Sequence, residues 1–290
     1  MGALSPICSC EVSPREPFVY GAGMADSFDP ATVPIRTAAT VMLVRDAVDG
    51  DPGVEVFMLR RTGNASFAAG MYVFPGGKVD DADHATELEP FCRGLDDATA
   101  SKQLGIESGG LAYWVASIRE CFEEAGILLA ERRDGSPLDL GDDDRHAVHD
   151  GSLSMLELCR RDDLILDVST TQYVDHWITP AGEGRRFDTR FFVTEAPAGQ
   201  EGLHDDKETV ESTWVRPERA LDMFQAGELM MMPPTVKSLR WLNGFACADD
   251  AVDAGEAITD PPTTLPKVRT DVDGNIVGVS MPGDDDYDSL

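Results

Sequence analysis

Glu120, Glu123 and Glu124 stand at i, i+3 and i+4 in the run Arg119-Glu120-Cys121-Phe122-Glu123-Glu124-Ala125-Gly126-Ile127. The upstream stretch Gly110 to Ile118 has no proline and carries apolar residues at helical spacing, which predicts a helix that ends with this run. At about 100° per residue, with Glu120 as zero, Glu123 and Glu124 fall at roughly −60° and +40°. Trp114, Ile118, Cys121, Phe122 and Ala125 fall between about 100° and 200°, on the other side. Gly126 supplies the stop, as a glycine just past a helix end commonly does. A solvated acidic face is the plainest account of such a pattern. Yet each like-charge pair at this spacing costs a few tenths of a kcal/mol, and carboxylates near a helix C-terminus oppose its dipole. A divalent cation held by clustered oxygens would offset both. Upstream, Phe74-Pro75-Gly76-Gly77-Lys78-Val79-Asp80 reads as a tight glycine turn after an apolar strand, where backbone can approach an ion or a phosphate closely.

Together the turn and the helix resemble the Nudix box, G-x5-E-x7-R-E-U-x-E-E-x-G-U, where U is a bulky apolar residue. Gly77 matches the first glycine, and Arg119, Glu120, Glu123, Glu124, Gly126 and Ile127 match the second half. Asp83 stands in place of the first glutamate, residues 84–118 stand in place of the x7 spacer, and Cys121 is small for the first U. The approach VFMLRRTGNASFAAGMYVFPGG resembles that of Nudix enzymes acting on coenzyme A and similar diphosphates. A second stretch carries His176-Trp177-Ile178-Thr179-Pro180, then Arg185-Arg186-Phe187-Asp188-Thr189-Arg190-Phe191-Phe192. It resembles the peroxisomal coenzyme A diphosphatase branch, whose members also carry a long insertion inside the box.

The resemblance implies an α/β/α sandwich around a mixed sheet, with a helical insertion and a C-terminal extension. It implies hydrolysis of a pyrophosphate bond in a nucleoside diphosphate linked to another moiety, with coenzyme A or an acyl derivative as the expected substrate. ADP-ribose or a dinucleotide is the alternative, and a non-catalytic Nudix binding module a remoter one. Glu120, Glu123 and Glu124 would hold Mg²⁺ or Mn²⁺ beside the Gly77 backbone, and Glu120, Glu123 and Arg119 carry the expected catalysis. Arg119 would orient Glu120, while Asp83 is short for a direct ligand. Glu208 or Glu211, in the segment before Trp214, would add a further acidic ligand or base. Arg185, Arg186 and Arg190 form a local positive cluster suited to phosphate, although pairing with nearby aspartates is the plainer role for any one of them.

The elements that must position these groups read as follows. Residues 1–33 form a proline-marked lead in which Met24 offers an alternative start, 34–246 the hydrolase domain, and 247–290 an acidic tail. Strands are expected over 37–45, 54–61, 71–74, 173–178 and 187–194, and helices over 153–161, 216–227 and 234–245. Residues 84–105, with Leu88, Phe91 and Leu95 at i, i+3 and i+7, read as a helical insertion rising beside the active site as a lid or wall. Residues 132–152 read as an acidic loop, in which His146 and His149 among Asp142–Asp144 could bind metal but more plainly decorate the loop. Residues 268–279 carry a hairpin signal around Asp273-Gly274, packing on the domain or on a partner subunit in a homodimer. The net charge of −29 disfavours nucleic acid and anionic membranes as partners and leaves a small nucleotide diphosphate. Cys8, Cys10, Cys92, Cys121, Cys159 and Cys247 show neither zinc nor disulfide spacing. Reduced thiols, no secretory signal and a terminus lacking Ser-Lys-Leu point to the cytoplasm.

Overall fold

The computed structural model describes residues 33–290 except 64, 66, 67, 139, 206 and 273–275; the expected N-terminal lead lies almost wholly outside them. Its spine is β1 (Ile35–Asp46), whose run of apolar residues suits a strand covered on both faces. Ala39, Val41 and Leu43 join one core cluster, and Met42 and Val44 the other. β2 (Val54–Arg61), β3 (Tyr72–Val73) and β4 (Gly76–Lys78) follow. β1 divides its partners: its end pairs with β2 (Val44↔Val56), while its start pairs with β4 (Ala38↔Lys78, Thr40↔Gly76).

The helix α1 (Asp97–Leu104) is capped by Asp96, whose side chain accepts from the Thr99 amide. Residues 81–91 before it form short 3₁₀ turns rather than the expected helix. Pro90 lies inside the second turn, has no N–H to give and cannot extend an α-helix. α2 (Leu111–Ala125) then ends at Gly126, which adopts φ 68°. Every residue of α2 except Glu120 is buried, so this is a core helix and not a half-solvated one. Trp114 anchors it: its ring lies 4.8 Å from that of Phe192, and its Nε1 donates to the Thr171 carbonyl at 2.8 Å.

β5 (Ala130–Arg132) pairs with β6 (Leu164–Leu166), with α3 (Asp142–His149) and α4 (Met155–Asp162) between them. The expected acidic loop therefore contains a helix. Asp142, Asp143 and Asp144 fill its first turn, where negative charge complements the dipole. A reciprocal Ser154–Glu157 cap starts α4.

β7 (Gln172–Ile178) and β8 (Arg186–Glu195) pair antiparallel, and β8 runs parallel to β1. β9 (Thr209–Val215) pairs with β2. α5 (Pro217–Gln225), α6 (Pro233–Leu242) and α7 (Ala248–Glu256) cover the second face, and β10 (Thr263–Thr264) adds to the edge beside β7. The sheet order is β10-β7-β8-β1-β2-β3, with β4 on β1 and β9 on β2. Helices thus lie on both faces of a mixed sheet.

The expected tail departs most from its acidic composition. Ala248 and Ala251 of α7 are buried against the sheet, so residues through 264 belong to the domain. Farther on, β11 (Lys267–Thr270) and β12 (Ile276–Ser280) pair antiparallel, while the Asp273-Gly274 turn lies outside the described residues. Among the described residues no helix is long and apolar enough to cross a membrane.

Candidate active site

The last turn of α2 delivers its side chains to one end of a cleft of about 1190 Å³. Arg119 is the hub. Its Nε and Nη2 grip both oxygens of Asp83 at 2.9 Å each, its Nη1 donates to Glu120 at 2.9 Å and Glu123 at 2.8 Å, and Nη2 also reaches the Lys78 carbonyl at 2.8 Å. Burial pulls the Arg119 pKa down, but Asp83, Glu120 and Glu123 more than offset this and raise it. Asp83 is 3% exposed and does not line the cleft; it anchors the arginine instead. A carboxylate one methylene short of glutamate suffices for that fork-to-fork pair.

Gly76 and Gly77, expected as a turn, instead lie extended in β4, held in register with Thr40 and Ala39, and close on the same carboxylates. The Gly76 amide donates to Glu124 Oε2 at 3.0 Å. A Cβ on Gly77 would lie 2.4 Å from Glu120 Oε1, so the missing side chain leaves the space that the carboxylate fills. A Cβ on Gly76 would meet the Ala39 carbonyl at 2.5 Å and Thr40 Cα at 2.7 Å, which are backbone and cannot give way.

Burial is the largest cause of the raised pKa of each glutamate: Glu120 goes well up, Glu123 goes up against the pull of Arg119, and Glu124 is pushed up to about 8. Such carboxylates ionise at neutral pH when a cation joins them. Their all-oxygen donor set suits Mg²⁺ or Mn²⁺, and the space beside Gly77 admits close backbone approach. Among the described residues no three His, Cys, Asp or Glu side chains already converge on one point. The set fits a divalent ion in the chemistry of its donors.

Arg61 and Arg145 escaped the sequence reading as site residues, whereas His149 stood there as a possible metal ligand in an acidic loop. Arg61 lies between Glu124 Oε1 (3.7 Å) and Glu208 Oε2 (3.5 Å) in the cleft wall. Arg145 of α3, 7% exposed, donates to the carbonyls of Glu123 and Glu124 at 2.9 Å each and to that of Leu203 at 2.8 Å. It caps the catalytic helix from behind. His149, one turn later, lines the cleft with Nδ1 3.6 Å from Glu123 Oε2. The only available signal was their i, i+4 spacing, which says nothing of what the helix packs on.

Of the two candidate glutamates before Trp214, the structure brings Glu208 to the cleft and not Glu211. The regular β2–β9 register sets Glu211 opposite Arg60, where the two pair at 3.4 Å on an exposed flank. Of the three arginines, Arg185 lines the cleft. Alternation along β8 turns Phe187, Thr189 and Phe191 toward the cleft and Arg186 and Arg190 to the other face. Arg186 donates to the Thr179 carbonyl. Arg190 is 4% exposed, pairs with Asp188 at 3.1 Å and lies near the rings of Tyr113 and Tyr173, so it has no path to substrate.

The insertion corrects a further expectation, because none of residues 84–118 lines the cleft. Leu88 and Leu104 are buried in the α2-side core, Phe91 and Leu95 pack against it, and the Arg93 amide donates to the Leu166 carbonyl. Its apolar spacing reflects burial behind α2 rather than a lid over the cleft.

A sandwiched mixed sheet with this glycine pair and this helix end defines a Nudix pyrophosphohydrolase. A family model described as the NUDT19 Nudix domain matches residues 35–242, and the chain belongs to that family. It is 29% identical to the acyl-coenzyme A diphosphatase NUDT19 of Gallus gallus, over 87% of this chain and 79% of the relative. It is 28% identical to the Homo sapiens protein of the same name, over 81% and 72%. A crystal structure of a NUDIX hydrolase from Alicyclobacillus acidocaldarius aligns with TM-score 0.66 and 26% identity, covering 80% of this chain and all of that one.

Proposed function

We propose that the chain hydrolyses the pyrophosphate bond of coenzyme A or an acyl-coenzyme A in a reaction that depends on Mg²⁺ or Mn²⁺. The observation that carries this is the Arg119-centred cluster of Glu120, Glu123 and Glu124 at one end of a long cleft with apolar walls. The diphosphatases named above support the substrate class. Glu120, Glu123 and Glu124 would hold the metal, which when bound neutralises the diphosphate and lowers the pKa of water for in-line attack on phosphorus. Arg119 keeps Glu120 and Glu123 aligned through its grip on Asp83. The Gly76 amide fixes one oxygen of Glu124 and leaves the other toward the cleft. Arg61 is placed to meet a phosphate oxygen, and Glu208, half-exposed at the rim, to take a proton from water. Phe74, Trp177, Met230 and Met232 offer apolar wall to the pantetheine arm or its acyl group. Water addition across P–O–P gives adenosine 3′,5′-bisphosphate and 4′-phosphopantetheine or its acyl derivative. A cytoplasmic location belongs to the same proposal.

The test compares coenzyme A, acyl-coenzyme A, ADP-ribose and diadenosine polyphosphates under matched Mg²⁺ and Mn²⁺. A kcat/KM for coenzyme A no better than for ADP-ribose rejects the substrate. Glu123→Gln should cost about a hundredfold in turnover, equivalent to about 2.7 kcal/mol; a variant retaining most metal-dependent activity rejects the metal platform.

A further inference from the structure

The floor of the cleft runs along β1, where Thr40, Ala38 and Arg36 succeed one another on the same face. Thr40 lies opposite Gly76, at the carboxylate end, and Ala38 opposite Lys78. Arg36 follows after four residues of strand, about 13 Å along at roughly 3.3 Å per residue. Beside it on β8 lies Phe187, in direct register. Arg185 lines the same end.

Arg36 is exposed and has no hydrogen-bond or ion-pair partner among the described residues. Its charge acts on Lys78, opposing the pull of Asp80, which holds Lys78 Nζ at 2.8 Å. Two cations therefore share one stretch of cleft in a chain of net charge −29. Asp80 balances Lys78 only through an exposed ion pair, which is weak enough for a phosphate to displace the carboxylate.

Resting on the coenzyme A reading, we propose that Arg36 and Lys78 form a second anion subsite that takes the 3′-phosphate of the substrate's ribose, with Phe187 beside it as a shelf for the nucleoside. The diphosphate lies at the glutamate end and the 3′-phosphate one ribose away, along β1, within reach of two long flexible cationic side chains. This replaces Arg186 and Arg190, which the β8 alternation turns away.

The test uses Arg36→Gln, Lys78→Gln and the double variant of the full chain with coenzyme A and 3′-dephospho-coenzyme A in Mg²⁺. The ratio of the two kcat/KM values should fall about tenfold in Arg36→Gln, the scale of one lost bond to a charged group, and further in the double variant. Equal losses on both substrates, or none, overturn the subsite while leaving coenzyme A hydrolysis standing. Calorimetry with adenosine 3′,5′-bisphosphate and 5′-ADP needs no turnover. The wild type should bind the bisphosphate more tightly, and Arg36→Gln should narrow the gap. Equal affinity in the wild type overturns the subsite even for a protein that hydrolyses another nucleotide.

Discussion

Arg145→Met removes a guanidinium while keeping most of its apolar stem. The last carbonyls of a helix have no intrahelical donor, and Arg145 supplies one to Glu123 and Glu124 and another to Leu203. Hydrogen bonds from a charged donor contribute about 1.5–3 kcal/mol each. Against this stands the cost of burying the charge, which is the main cause of the lowered Arg145 pKa. We expect a net loss of about 3 kcal/mol, because the Glu123 and Glu124 carbonyls left behind are buried and unpaired. For a domain of this size, that lowers Tm by roughly 6–12 °C. The loss should reach function too, since the freed backbone carries Glu123 and Glu124. Arg145→Lys keeps the charge but not the fork, and should fall between wild type and Arg145→Met in both Tm and kcat. Scanning calorimetry in EDTA reads stability, and steady-state hydrolysis below Tm reads alignment. A methionine variant that melts within about 1 °C of wild type, well inside the expected shift, with unchanged kcat refutes the cap.

The two glycines should separate stability from activity. Gly77→Ala intrudes on a side-chain carboxylate that can swing away, so it should lower activity and metal affinity with little change in Tm, whereas Gly76→Ala meets backbone and should lower Tm as well. Glu208→Gln should reduce kcat by about a hundredfold, the low end of a lost proton-transfer group, and Glu211→Gln should leave kinetics near wild type; the reverse order would put Glu211 at the site. Burial pushes the thiols of Cys92 and Cys159 up to about 12. They stay protonated and unreactive at pH 8, so iodoacetamide should spare both in the folded protein, as peptide mass spectrometry reads, and label them once urea unfolds it.

The face of three carboxylates was legible in the sequence because helix periodicity is local. Glu120, Glu123 and Glu124 face one side of α2 whatever surrounds it, and Gly126 marks where that helix ends. Gly76 and Gly77 were legible as glycines that allow close approach, but not as what they are, a short strand paired with β1 rather than a turn. The strands were legible from apolar runs and alternation, which report burial along a segment. Tertiary structure decided everything that depends on which segments meet. Asp83 reads in line as a weakened metal ligand, and only the fold turns it onto Arg119. The pairing of β9 on β2 sets Glu211 against Arg60 outside the cleft, while Glu208, just before β9, lines it. The phase of β8 keeps Phe187 in the cleft and buries Arg190 behind the sheet. Leu88, Phe91 and Leu95 state that the insertion hides an apolar edge but not against what, and α3 states that it is a helix but not that Arg145 caps its neighbour. Periodicity fixes a side chain's direction relative to its own element, while contacts between elements depend on strand register and helix docking, which arise from packing across the whole domain.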